Sequence, residues 1–144
     1  MHRIISLFLI VPLGWTFCPP AYGESFLTHQ TEHFILTYTA QDQRIVDHLL
    51  PKIEEIRRKI IADTGKDFRG KTTVLIAPTI ESFQKLQAGN GEIPLWAAGV
   101  AYPESNLIIL RSPFSVQAGH PDLMKIFAHE LTHVAIGRAL PGKK

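Results

Sequence analysis

A chain of 144 residues is long enough for one domain and too short for two of ordinary size. Hydrophobic residues make up 45% and charged residues 19%, as in an ordinary globular chain. The formal net charge is +2 with Lys and Arg scattered, so nothing in the charge points to nucleic acid or an anionic membrane surface as partner.

The first residues differ from the rest. Met1-His2-Arg3 is a short basic start, and residues 4–17 form an apolar run broken by Pro12 and Gly14. Pro19, Pro20 and the small residues Ala21 and Gly23 follow, which predicts a signal peptide over residues 1–23. The run falls short of the roughly 20 apolar residues a membrane span needs. Membrane contact is therefore expected only through this segment. The remaining domain, 24–144, is expected to be exported, to the periplasm or the extracellular space. Cys18 is the single cysteine, so that domain has to stand without disulfides.

Residues 31–39 are dominated by β-branched and aromatic types and predict a strand. Over residues 41–64, Ile45, Leu49, Ile53, Ile56 and Ile60 recur at helical spacing, with Pro51 as a kink or break and Gly65 as the stop. In the same stretch Arg57-Arg58-Lys59 follows Glu54 and Glu55 and is expected on a solvated, ion-paired face. Residues 71–77 predict a second strand. Thr79 is a good cap for a short helix through Leu86, and residues 88–92 read as a loop. Residues 96–102 and 107–110 predict two strands joined by the turn Pro103-Glu104-Ser105-Asn106, a hairpin. The last helix is expected to begin near Pro121, with Asp122 at its N-terminus, and to close at Leu140-Pro141-Gly142. The order strand, helix, strand, helix, hairpin, helix argues an α/β or α+β fold, read as α+β with an α/β-like order: a small mixed sheet with the last helix packed on it.

That helix carries His129-Glu130-Leu131-Thr132-His133. Residues four apart share a helix face, so His129 and His133 can aim their imidazoles at one metal ion. Zinc accepts histidine nitrogen at about 2.0–2.1 Å, and catalytic sites use three protein ligands plus a water. Glu130, one step around, is placed to take a proton from that water as it attacks a carbonyl. The plain alternative is a solvated helix face that happens to hold two histidines and a glutamate. His29, His33, His48 and His120 are expected as surface or core residues, with His120 the one best placed for an extra metal or substrate contact.

Residues from about 33 to 142 resemble the peptidase MA-like group of gluzincins, relatives of thermolysin in their active-site helix. The resemblance rests on Trp96-Ala97-Ala98-Gly99-Val100-Ala101, on Leu107-Ile108-Ile109-Leu110 and, most specifically, on Phe127-Ala128-His129-Glu130-Leu131-Thr132-His133-Val134. It implies a zincin-like N-terminal half in which the strand at residues 98–102, or its neighbour, edges a cleft for an extended peptide. It implies a zinc-dependent metallopeptidase acting on a peptide or protein, with zinc on His129 and His133 and Glu130 as general base. The family completes its metal site with a Glu on a second helix, commonly within Trp-x-x-Glu-Gly. Residues 134–144 hold no Asp, Glu, His or Cys, and Ile136 and Ala139 stand where a metzincin has Gly and His. The domain is therefore expected to be incomplete at its C-terminus, as the N-terminal fragment of a longer peptidase. Two further accounts stand beside this. One is a naturally short, exported and inactive domain that binds protein or serves a structural role. The other is a third ligand from His120, Glu104, Asp122 or another subunit.

Overall fold

Phe34, Leu36 and Tyr38 are buried, while Ile35 and Thr37 between them are half-buried; the same alternation runs through Thr72, Val74 and Ile76. Period-two burial of this kind makes a strand with one face on a deep core. In the computed structural model these are β2 (Phe34–Thr39) and β3 (Thr72–Ala77). The structure describes residues 25–87, 93–94, 96–115 and 122–139. The expected signal segment, the 88–92 loop, His120, Pro121 and Leu140-Pro141-Gly142 lie outside the described residues.

The other elements are β1 (Phe26–Gln30), α1 (Gln43–Thr64), α2 (Ile80–Leu86), β4 (Gly99–Tyr102), β5 (Leu107–Arg111) and α3 (Leu123–Ala139). The strands form one mixed sheet in the order β1-β2-β3-β5-β4. β2, β3 and β5 run parallel, and β1 and β4 flank them antiparallel. Helices α1 and α3 share one face of this sheet, where Val46, Leu49 and Ile53 of α1 and Phe127, Leu131 and Val134 of α3 join the main core. Phe34 and Phe127 meet edge to face, with centroids 5.5 Å apart. The opposite face carries a smaller core of Ala77, Phe83, Ala97 and Ile109 beneath α2. This is an α+β fold with a mixed sheet, a β4–β5 hairpin and the last helix packed on the sheet. No described helix is long and apolar enough to cross a membrane.

Local chemistry sets the boundaries. Gly65 ends α1 in the left-handed conformation, at φ 65°. Thr79 and Ser82 form a reciprocal capping box that starts α2. Asn106, also left-handed, reverses the chain between β4 and β5. α1 runs unbroken through Pro51, which lies on the exposed side of the helix along with Asp47, the residue whose carbonyl loses its N–H partner.

Further features depart from the expectations above: β4 starts at Gly99 and not at Trp96, and two more concern β1 and Arg57. β1 pairs with β2 over five residue pairs, although all five of its residues are exposed. And Arg57 is not on a solvated face. It is only 7% exposed, donates to Asp67 Oδ1 at 2.8 Å and to the Phe68 carbonyl at 3.0 Å, and lies over the Phe68 ring. Its partners follow the Gly65 turn, which folds back along α1. Arg58 and Lys59 are exposed, as expected.

Asp42 ties the start of α1 to the end of β5. It is fully buried and accepts hydrogen bonds from Ser112 Oγ at 2.6 Å and Thr39 Oγ1 at 3.2 Å. Burial pushes its carboxyl above the ordinary range, and the two hydroxyls offset part of that rise. A carboxyl raised in the folded state favours the proton-bound form. Its ionisation therefore removes stability as pH climbs from the unfolded carboxylate range through the raised folded value. Asp42→Asn keeps an acceptor for Ser112 and removes the charge, whereas Asp42→Ala orphans the hydroxyl at a cost of about 1–3 kcal/mol. Urea unfolding at neutral pH is expected to rank Asn above Ala. It should also show a flatter acid-to-neutral stability profile for Asn than for the parent. An Asn variant weaker than Ala would mean that the charge itself holds the joint.

Candidate metal centre

α3 is clamped over most of its circumference. Leu123, Phe127, Leu131, Val134 and Ala135 are buried against the sheet and α1, which leaves one narrow strip of the helix open. His129 and His133 occupy that strip and are both exposed. Their Nε2 atoms converge to 3.1 Å, and the rings stand nearly perpendicular, with centroids 4.7 Å apart. Two zinc–nitrogen bonds at a tetrahedral angle place their nitrogens about 3.3 Å apart, so the pair has the spacing of two ligands on one ion. The next residues on the strip do not compete for them, since Thr132 Oγ1 turns inward to the Ala128 carbonyl at 2.8 Å.

Glu130 has the opposite environment. It is 8% exposed and lies against β4. A Cβ at Gly99 would sit 3.0 Å from Glu130 Cγ and 2.9 Å from Ile126, so glycine at that position is what lets the strand approach the helix and the carboxylate fit between them. Burial pushes the Glu130 carboxyl above its ordinary range, and the nearby imidazoles of His129 and His133 pull it back. A half-desolvated carboxylate beside two nitrogen donors is suited to accept a proton and release it again.

A cleft of about 370 Å³ opens on this group. Trp96, Ala97, Ala98 and Gly99 form one wall, and Lys125, Ile126, His129 and Glu130 form the other. Arg111 N–H donates to the Ala98 carbonyl, and Val100 pairs with Ile109. The antiparallel alternation then turns the N–H and C=O of Gly99 and Ala101 toward the unpaired edge of β4. Among the described residues no strand covers that edge.

The remaining candidates stand elsewhere. Among the described residues no group of three or more His, Cys, Asp or Glu could hold a metal, so neither Glu104 nor Asp122 joins the histidine pair. Asp122 Oδ1 caps α3, accepting from the amides of Met124 and Lys125. His33 is held by Glu54 at 2.8 Å. Burial raises the Glu54 carboxyl, but hydrogen bonds from Thr31 and His33 outweigh it and leave the group lowered, a structural pairing of the β1–β2 turn with α1. His29 lies on exposed β1 and His48 on the exposed side of α1. Lys125 and Ile126 are cleft residues that motif reading missed. Lys125 could have been found, since it precedes His129 by one helical turn. Compared with known protein families, curated proteins and solved structures, the chain matches none.

Gly99→Ala is expected to lower stability by about 1–3 kcal/mol, because the added methyl meets Ile126 and the Glu130 stem at sub-contact distance. Denaturant unfolding checks this. An unchanged midpoint would mean that β4 yields freely and does not hold Glu130 in place.

Proposed function

We infer that this domain is a zinc-dependent metallopeptidase of the gluzincin type that hydrolyses peptide bonds in an extended peptide or protein substrate. The observation that carries the reading is the 3.1 Å convergence of His129 and His133 Nε2 beside a buried Glu130. Two imidazoles at that spacing suit a shared divalent ion, and neutral nitrogen donors suit zinc. Any third protein ligand lies outside the described residues. Export through the 1–23 segment is part of the same proposal.

When bound, zinc supplies a Lewis acid that polarises the scissile carbonyl and acidifies water. The chain's own residues do the rest. His129 and His133 hold the ion on a helix whose packing fixes their separation. An extended peptide aligns along β4 through the outward N–H and C=O groups of Gly99 and Ala101. Glu130 takes a proton from the attacking water and returns it to the leaving amine; general base catalysis of this kind contributes about 10²–10⁴-fold. The cleft walls of Ala97, Ala98 and Ile126 limit water around the carboxylate, which strengthens its electrostatic role.

A second reading is a non-catalytic, exported module that binds a peptide along β4 without cutting it. The donor set favours it, since the described residues offer two metal ligands and not three.

Zinc titration by calorimetry is expected to give one site in the parent protein, lost in His129→Ala and His133→Ala, since each removes one of the two nitrogen ligands. Glu130→Gln is expected to keep zinc and lose hydrolysis of an unstructured protein substrate. Zinc binding that His129→Ala leaves untouched would sink the peptidase reading. Zinc and peptide binding without hydrolysis in the parent would favour the module.

A further inference from the structure

We propose that the cleft beside Glu130 selects peptides with an acidic side chain next to the scissile bond, through Lys125; this rests on the peptidase reading above. Lys125 stands four residues before His129, so it shares the strip that carries the histidine pair. Together with Ile126 it lines the cleft opposite Trp96 and Ala98. Among the described residues lining the cleft, Lys125 is the only cation, and the one anion there, Glu130, is buried against β4.

The ammonium group is available. The Lys125 side chain is 85% exposed, and its Nζ lies 3.6 Å from Asp122 Oδ2, a long contact between neighbours on one helix. The Asp122 carboxylate is meanwhile engaged through Oδ1 by the first amides of α3. An exposed i,i+3 pair at that distance holds its partner weakly, so a substrate carboxylate can displace or join it at little cost. A substrate Lys or Arg at the same place meets like charge on a wall it cannot avoid while its backbone follows β4. The competing attraction comes from Trp96, which is 83% exposed and whose ring face can hold a cation. Lys125 already sits across the cleft from that ring, so a second cation between them is opposed.

The test uses the zinc-loaded full chain and three peptides, identical except for Glu, Gln or Lys beside the cleaved bond. Binding is read in the Glu130→Gln variant by calorimetry, and cleavage is read in the parent. The Glu peptide is expected to bind about fivefold tighter than the Lys peptide at low salt. The ratio should shrink as ionic strength rises. Lys125→Glu is expected to invert the order, and Lys125→Met to abolish it. Equal affinity for the three peptides, a preference for Lys, or no binding at all would overturn the inference. Discrimination in binding without cleavage in the parent would remove the peptidase reading and, with no scissile bond left, the inference that rests on it. Equal cleavage of all three would overturn the inference and leave the peptidase reading standing.

Discussion

The clamping of α3 between the sheet and α1 is the constraint from which the site follows. Phe127, Leu131 and Val134 are fully buried, with Phe127 set edge-on against Phe34 of β2. Burying side chains of this size contributes about 1.5–3 kcal/mol each. That fixes the rotation of the helix about its own axis. Once the rotation is fixed, the strip through Lys125, His129 and His133 faces out. The imidazoles converge because the helix repeat puts them there, with no loop to order on binding an ion.

Glu130 works against that stability. A carboxylate pushed above its ordinary range by burial is a cost that the surrounding apolar contacts have to cover. Asp42 shows the contrast within one protein. It is also buried and also raised, but two hydroxyls reach it, and it serves as a joint between α1 and β5. Glu130 is flanked by imidazoles and opens on a cleft. The same physical penalty is therefore met by hydroxyl donors in one place and by imidazoles beside an open cleft in the other.

The legible parts of the fold were those whose signals are local. Gly65 as a helix stop, Thr79 as a cap and the Asn106 turn each depend on a few neighbouring residues, and the helical recurrence of Leu49, Ile53 and Ile60 is internal to α1. β1 gave no such signal. With all five residues exposed it has no apolar alternation, and its existence depends on backbone pairing with β2. Arg57 misled for a related reason: its burial comes from Asp67 and Phe68, which a return of the chain brings back to it. The strand expected from Trp96 starts only at Gly99, since Ala97 N–H is turned back to the Pro94 carbonyl. At the site, the histidine pair followed from i,i+4 spacing. The burial of Glu130 did not, because it depends on how closely β4 approaches.

That approach separates two tasks which a single helix turn would otherwise mix. Successive helical residues are rotated by about 100°, while residues four apart nearly realign. His129 and His133 thus stay together on the open strip, and Glu130 swings toward the sheet. Had β4 carried a side chain at position 99, it would have pressed on Ile126 and on the Glu130 stem, and the strand or one of these side chains would have had to shift. Glycine lets the strand close over the carboxylate. The imidazoles stay exposed while the carboxylate stays buried. The bare edge of the same strand, turned outward at Gly99 and Ala101, runs beside the cleft that opens on His129 and Glu130. The helix repeat sets where the two imidazoles stand, and the strand beside it sets how far the carboxylate is removed from water.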